Sequence, residues 1–296
     1  MYPSRASFCA VAAPIPFSLP QPVMSATRWS VSAMVFLPIL AKTIRTVVKT
    51  HKLALCASVC GVLFITFGEA NMATAKLVTF DVYMALLDIE GSLVPIVRET
   101  LGLSKADAVP FVRTWRAKQM ERAASSNSLE LERTRFRDAT RMGLEYVAGC
   151  AGIEIDRDSK EALVLAWDRM KPWPEADSVI AAVKEKGCAV AILSNGDQDM
   201  LEAVADNFES DFDHVLSSES AGKYKPHPAV YGLPMVLLGI AMNDVLHVAG
   251  SPNDVLGAIA AGMRCAWSNR HGDRLLDTCY PATAELPDLR GVPDLL

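Results

Sequence analysis

The first 68 residues of the chain contain no aspartate and no glutamate, although six of the 29 Lys and Arg residues lie there. The other 23 basic residues therefore share residues 69–296 with all 34 acidic residues, which gives that part a net charge near -11. A domain that binds nucleic acid needs a basic surface to meet the phosphates. This charge balance excludes nucleic acid as an expected partner.

The sequence also lacks the cysteine patterns of disulfide frameworks and zinc sites. Its seven cysteines form no Cys-x-x-Cys pair, and its five histidines are scattered singly. An odd number of cysteines without such pairs indicates buried or free thiols in a reducing compartment. Because the histidines also stand singly, we interpret His214, His227, His247 and His271 as packing, capping or surface residues.

A basic leader over residues 1–71 includes an uncharged run at 53–68, shorter than the about 20 residues that a membrane-spanning helix needs. Three interpretations stay open: a signal-peptide apolar region, an organelle-targeting leader, or an upstream extension that is not normally translated. We favour the third, because Met72 stands just before the first predicted strand. Translation from Met72 predicts a cytoplasmic protein, whereas a retained leader predicts an exported, membrane-anchored or organellar one that contacts membrane.

From residue 76 onward, short apolar runs alternate with longer amphipathic stretches, as in a parallel sheet covered by helices. Strands are predicted at residues 77–83, 188–194, 213–217, 245–250 and 265–269, and helices at 175–186, 197–208, 228–239 and 252–262.

Residues 91–172 interrupt this alternation, because they contain no convincing strand and have long stretches with helical periodicity. The pattern predicts an α/β domain over residues 72–296. Its parallel-sheet core would comprise residues 72–90 and 173–296, with an inserted helical subdomain over about 91–172. The two prolines of residues 171–176 are typical of a hinge that returns the chain to the core.

Polar side chains follow several predicted strands, at the edge where a parallel α/β sheet forms its binding site. In chain order they are Asp81 and Tyr83, Ser194 and Asn195, Lys225, and Asp254. Each alone is compatible with an ordinary role as a helix cap, a turn residue or a surface lysine. Together they predict one crevice that contains carboxylates, an ammonium group and a Ser-Asn pair.

These residues, together with TWRAKQM at 114–120 and YKPHPAVY at 224–231, resemble the motif set of the haloacid dehalogenase superfamily. The two quoted segments narrow the resemblance to the L-2-haloacid dehalogenase (type II) branch, and the similarity extends from about residue 76 to about residue 294. It implies a Rossmann-like core with a helical cap, a homodimer, and catalysis without a metal or other cofactor.

The resemblance also implies roles for ten residues. Asp81 matches the catalytic nucleophile, Lys225 the lysine beside it, and Asp254 the late acid that anchors this lysine. The residues that match substrate- and halide-binding positions are Tyr83, Arg116, Ser194, Asn195, Tyr231, Ser251 and Asn253.

The implied reaction converts a small 2-haloalkanoate of the L series into a D-2-hydroxy acid. The nucleophile Asp81 displaces halide from C2 and forms an aspartyl ester, which water then hydrolyses. A halide leaves without a proton, so the second aspartate that superfamily phosphatases carry two places after the nucleophile is not needed. Tyr83 occupies that place in this chain.

The residues also argue against magnesium, which binds through several carboxyl oxygens. Gly250 stands where the GDxxxD motif of a phosphatase has its first acid, so only Asp254 remains there. The chain departs from the branch as well, with Met84 and Ala85 in place of Gly-Thr, and Asn253 in place of tryptophan. Two alternatives therefore stay open: a phosphatase-like hydrolase with altered motifs, or a non-catalytic relative that binds small carboxylates.

Overall fold

The computed structural model describes residues 75–296. The interpretations of the leader and of Met72 concern residues outside this range. Within residues 75–296, no helix is both long and apolar enough to cross a membrane.

Six parallel strands form one sheet in the order β3-β2-β1-β4-β5-β6. They are β1 (Leu77–Phe80), β2 (Ala189–Ser194), β3 (His214–Ser217), β4 (Val245–Ala249), β5 (Arg264–Ser268) and β6 (Ala284–Leu286). The five predicted strands are confirmed, although β1 ends at Phe80, so Asp81 and Tyr83 lie beyond it. Strand β6 was not predicted, because its three residues, with a glutamate at the centre, form neither an apolar run nor a recognisable alternation of apolar and polar residues.

The central strands are buried on both faces, as expected for a parallel sheet between helical layers. Every residue of β1 and of β4 is buried. Neighbouring residues of one strand enter different apolar clusters: Leu77 packs in one cluster, and Val78 and Phe80 pack in the other. The alternation of side chains along a strand explains this division of the core into two layers.

Five α-helices lie between β1 and β2 in the chain, and the first four belong to residues 89–169, which we call the helical insertion. These four are α1 (Ile89–Leu101), α2 (Lys105–Ser128), α3 (Phe136–Ala151) and α4 (Arg157–Leu165), followed by a short 3-10 turn at Ala166–Arg169. Ser104 caps α2, since its hydroxyl accepts a hydrogen bond from the Asp107 N–H (3.2 Å).

Helices α2 and α3 pack closely, and two features of the sequence permit this. The buried Trp115 donates its indole N–H to the Thr140 carbonyl (2.7 Å), which ties the two helices together. Opposite it, a β carbon on residue 143 would lie 3.0 Å from the Gln119 nitrogen and 3.1 Å from the Trp115 carbonyl oxygen. Gly143 therefore allows the two backbones to approach.

Two connections join the helical insertion to the sheet, and they run side by side. Leu87 and Pro172 form an isolated antiparallel bridge, and the Trp173 N–H donates to the Leu86 carbonyl (2.9 Å). The predicted hinge at 171–176 thus contacts the segment that leaves β1. This pairing fixes where the helical insertion begins and ends relative to the strand ends.

The remaining helices cover the sheet. They are α5 (Ala176–Glu185), α6 (Gln198–Ala205), α7 (Pro228–Tyr231), α8 (Leu233–Leu238) and α9 (Pro252–Ala260). The single helix predicted at 228–239 is two short helices, because Pro234 has no N–H to donate to the carbonyl four residues earlier.

Candidate active site

A small cavity of about 30 Å³ lies at the carboxyl end of the sheet, where α2 of the helical insertion approaches the strand ends. Its lining comprises Asp81, Tyr83, Met84, Arg116, Met120, Asn195, Lys225, Ser251, Asn253 and Asp254. Eight of the ten predicted site residues are in this set. The other two, Ser194 and Tyr231, lie behind the lining and contact Asp81 and Asp254, respectively.

Asp81 is the first residue after β1, and its main chain continues the sheet by donating to the Val248 carbonyl (2.9 Å). A tight π-type turn at Val82–Leu86 follows, in which the Met84 N–H donates to Oδ2 of Asp81 (3.3 Å). The other oxygen, Oδ1, accepts from the Ser194 hydroxyl (3.3 Å) and from Lys225 Nζ (3.4 Å). These contacts hold the carboxylate in place. Asp81 is 9% exposed and lines the cavity.

Lys225 is buried and pairs with a second carboxylate, Asp254, at 3.1 Å. Asp254 lies in the first turn of α9, where Ser251 caps the helix by accepting from the Asp254 N–H (3.3 Å). The Tyr231 hydroxyl donates to Oδ1 of Asp254 (2.7 Å). Burial raises the pKa of Asp254, but Lys225 and His247 more than offset this and hold that pKa well below its ordinary value.

His247 also belongs to this network, and the sequence analysis did not recognise it. Its Nε2 lies 3.0 Å from Oδ2 of Asp254 and 3.3 Å from Lys225 Nζ, while its Nδ1 lies 2.9 Å from the Thr79 hydroxyl. Thr79 pairs with His247 across β1 and β4. Since Thr79 precedes Asp81 by two residues, strand periodicity was the available signal that His247 faces the site.

Asn195 joins the loop after β2 to the loop that carries the lysine. Its side-chain carbonyl accepts from the Lys225 main-chain N–H (2.8 Å). Asn195 also lines the cavity, and because its carbonyl oxygen is already engaged, its NH₂ group is the donor that remains for a bound ligand. This bond fixes the lysine loop relative to the second strand.

Arg116 approaches the cavity from α2 and lies against a group of aromatic rings. Its guanidinium carbon is 5.5 Å from the Tyr83 ring centroid, 5.9 Å from that of Phe136 and 5.7 Å from that of Trp167. One Nη donates to Gln119 Oε1 (2.5 Å). Burial lowers the pKa of Arg116, and the charge of Asp81 counteracts this. These rings place a partly buried cation opposite the Asp81 carboxylate.

Tyr83 forms the apolar wall between the strand ends and α2. It is fully buried, and within residues 75–296 its hydroxyl has no hydrogen-bond partner. Burial raises the pKa of Tyr83 far above its ordinary value. Tyr83 is therefore neutral and supplies neither a carboxylate acid nor a ligand oxygen for a metal.

A second buried ion pair, which the sequence analysis also missed, connects the helical insertion to the strand ends. Arg133 binds Asp197 at 2.6 Å, and both side chains are almost completely buried. The same guanidinium donates to the Asn195 carbonyl (3.1 Å) and stacks on the Tyr224 ring at 4.5 Å. Asp197 in turn accepts from the Phe136 N–H at the start of α3 (2.9 Å). These contacts hold the loops of Asn195 and Lys225 against the helical insertion.

Gly250 shows why this site has few carboxylates. A β carbon on residue 250 would lie 2.3 Å from the Ala85 nitrogen and 2.3 Å from the Met84 carbonyl carbon. No acidic side chain fits there unless the turn after Asp81 moves. Within the part of the chain that the structure describes, no three His, Cys, Asp or Glu side chains are grouped to hold a metal ion.

The sequence of the chain is similar to those of known dehalogenases. The family model of the haloacid dehalogenase-like hydrolases matches residues 75–262. Haloacetate dehalogenase H-2 of Moraxella sp. (strain B) is 33% identical over 203 residues, which are 68% of this chain and 88% of that protein. The (S)-2-haloacid dehalogenase of Pseudomonas sp. (strain YL) is 28% identical over 222 residues, 74% of this chain and 94% of that one.

Among solved structures, that of L-2-haloacid dehalogenase from Xanthobacter autotrophicus with chloropropionic acid covalently bound superimposes with a TM-score of 0.66. The two sequences are 26% identical, and the match covers 75% of this chain and 98% of the other. With the motifs, the parallel sheet and the family match in agreement, the chain belongs to the family of haloacid dehalogenase-like hydrolases.

Proposed function

We propose that this protein hydrolyses L-2-haloacids to D-2-hydroxy acids through an aspartyl ester on Asp81, without a metal. One observation carries the proposal: a fixed carboxylate and two cations, Lys225 and Arg116, line one small cavity that lacks a second free carboxylate. Such a site suits a substrate with a single negative charge. The similarity to a haloacetate dehalogenase and to (S)-2-haloacid dehalogenases points to the same substrates.

In the first step an oxygen of Asp81 attacks C2 of the haloacid, and the carbon–halogen bond breaks as the carbon–oxygen bond forms. The halide leaves with the bonding electrons, so no proton is transferred and the neutral Tyr83 suffices beside the nucleophile. Arg116 and the NH₂ group of Asn195 are the donors available for the halide and for the substrate carboxylate. The product is an ester between Asp81 and the hydroxy-acid carbon.

In the second step water attacks the ester carbonyl of Asp81 and the acyl carbon–oxygen bond breaks. The hydroxy acid leaves with the oxygen that attacked C2, while the water oxygen stays in the regenerated carboxylate. One water proton goes to the product oxygen, and the other is released to solvent. Lys225 Nζ, 3.4 Å from Oδ1 of Asp81, is placed to stabilise the negative charge that develops on the carbonyl oxygen. Asp254 keeps Lys225 in that position.

Two further parts of the proposal concern organisation. We assign residues 91–172 as a cap over a core of residues 72–90 and 173–296, supported by the position of Arg116 on α2. We also propose a homodimer, on the strength of the family resemblance. Sedimentation velocity of the purified protein at micromolar concentration tests this, and a monomer throughout would contradict it.

The reaction itself is tested by incubating the protein with L-2-chloropropionate in EDTA and measuring chloride and D-lactate. We expect both products from the wild type and none from Asp81→Asn, which keeps the size of the side chain but removes its negative charge. A parallel assay with an aryl phosphate and Mg²⁺ tests the phosphatase alternative. Phosphate release without chloride release would contradict the proposal, and the absence of both products would favour a non-catalytic relative.

A further inference from the structure

A second and larger cavity, of about 260 Å³, adjoins the active-site cavity. Its lining comprises Tyr83, Met84, Leu87, Asp88, Ile89, Glu90, Val112, Arg113, Arg116, Trp173 and His271. Three of these residues, Tyr83, Met84 and Arg116, also line the active-site cavity, so they form the wall that the two cavities share.

The larger cavity has the character of a site for an alkyl chain. Its apolar lining is contributed mainly by Leu87, Ile89, Val112 and Trp173. The carboxylate of Glu90 is paired with Arg113 at 2.5 Å, and that of Asp88 caps α1 by accepting from the Gly91 N–H (2.8 Å). Because both acidic groups already have hydrogen-bond partners, the cavity offers a predominantly apolar surface to a ligand.

The active-site cavity, by contrast, is very small. Its volume of about 30 Å³ compares with about 260 Å³ for the larger cavity. A haloacid of two or three carbons fills the active-site cavity, whereas each further methylene of a substrate has to pass the shared wall.

Met84 is the residue of that wall that decides whether a chain passes. Tyr83 is fully buried among aromatic rings, and Arg116 is needed as a cation, so neither is free to withdraw. Met84 is partly buried, and Gly250 packs so closely against the base of its side chain that a β carbon on residue 250 would lie 2.7 Å from the Met84 β carbon. The rest of the side chain is unbranched and apolar.

We propose that Met84 determines the chain-length specificity of this enzyme by closing the active-site cavity toward the larger cavity. This rests on the dehalogenase function proposed above. The wild type then prefers 2-haloacids of two or three carbons, and shortening Met84 joins the two cavities, so that the larger one accepts the alkyl chain of a longer 2-haloalkanoate.

The test compares bromide release from L-2-bromopropionate and L-2-bromohexanoate, and its measure is the ratio of kcat/KM for the long substrate to kcat/KM for the short one. Met84→Ala should raise this ratio at least about tenfold, since one methylene gained or lost in an apolar pocket changes specificity by about that factor. Met84→Leu keeps the wall and should keep the wild-type ratio. If Met84→Ala fails to fold, Met84→Val should raise the ratio in the same direction by a smaller factor.

Met142→Ala is the matched control, because it makes the same change at an exposed methionine of α3 that lines neither cavity. We expect its ratio to stay within about threefold of the wild-type ratio, well below the specificity change that a fitted methylene gives. An equal rise in Met84→Ala and Met142→Ala, or no rise in Met84→Ala, would overturn the inference. A wild type that releases no bromide from bromopropionate would instead overturn the proposed function, so the two failures are distinguishable.

Discussion

The two sides of Asp81 are built in opposite ways. On the sheet side, Lys225, Asp254 and His247 form a buried network in which each charged group has a partner within 3.4 Å. On the side of the helical insertion, Arg116 lies among aromatic rings, and the unbranched Met84 lines both cavities. We call these the network side and the insertion side.

The difference indicates a division of labour. Charges fixed by several hydrogen bonds cannot shift to suit a substrate, so the network side is suited to holding the nucleophile and stabilising charge. The insertion side has fewer polar contacts, and its apolar side chains can change in size without breaking an ion pair. It is therefore suited to distinguishing substrates. Substitutions on the network side should therefore cost both stability and rate, whereas those on the insertion side should change mainly rate or specificity.

The largest expected effect is that of Lys225→Met on the network side. Removing this ammonium takes from the buried Asp81 and Asp254 the cation that pairs with both, which should lower the free energy of unfolding by about 3–5 kcal/mol. Urea denaturation measures this loss. Lys223→Met, two residues earlier and only partly buried, is the control. Equal stability of Lys225→Met and the control would refute the role assigned to the network side.

Arg116→Ala tests the insertion side. We expect kcat/KM for L-2-chloropropionate to fall about 100-fold, the usual effect of removing one group that stabilises charge in the transition state. The unfolding midpoint should change much less than in Lys225→Met. Lys118→Ala, on the same helix but paired with Glu121 at the surface, serves as the control. Wild-type rates for Arg116→Ala would contradict the position of α2 over the site.

His247→Phe should have a smaller effect, because it removes one hydrogen bond to Asp254 while the bond from Tyr231 remains. A hydrogen bond to a charged group contributes about 1.5–3 kcal/mol. Its loss should let Asp254, and with it Lys225, shift from its position, so we expect kcat to fall about tenfold. His247→Gln retains a donor at a similar distance and should recover most of the rate. If Phe and Gln gave the same rate, His247 would only fill space.

The smallest expected effect concerns acid. The pKa of Asp254 is lower in the folded protein than in the unfolded chain. As the pH falls, the Asp254 carboxylate therefore takes up a proton in the unfolded chain before it does so in the folded protein. Acidification below the ordinary pKa of about 3.9 thus lowers the free energy of unfolding. The stability that this depressed pKa contributes is fully present above that value. The stability difference between wild type and Asp254→Asn should therefore shrink by about 1 kcal/mol between pH 5 and pH 3. A constant difference in stability over this pH range would contradict the depressed pKa of Asp254.

Much of the core was predictable from sequence, because a parallel sheet brings consecutive strand ends to one edge. The apolar runs located β1 to β5, and this edge then gathered Asp81, Asn195 and Asp254. Arg116 was found only through the family resemblance, since nothing in helical periodicity indicates which residue of α2 faces the site.

What the sequence did not reveal depends on packing between distant segments. Arg133 and Asp197 are separated by 64 residues and meet only because the helical insertion folds back onto the strand ends. His247 was interpreted as a packing residue, since a lone histidine within an apolar strand carries no sign of its partners. Likewise, the close approach of Gly250 to the turn of Met84 and Ala85 becomes visible only in three dimensions.

The most direct test of the central claim is a single turnover with excess protein and L-2-chloropropionate in water enriched in ¹⁸O, followed by mass spectrometry of the peptide that contains Asp81. If Asp81 is the nucleophile, the solvent oxygen enters its carboxylate, and the hydroxy acid from the first turnover carries unlabelled oxygen at C2. Label in the hydroxy acid from that turnover, with none in the Asp81 peptide, would mean that water attacks C2 directly and would contradict this account.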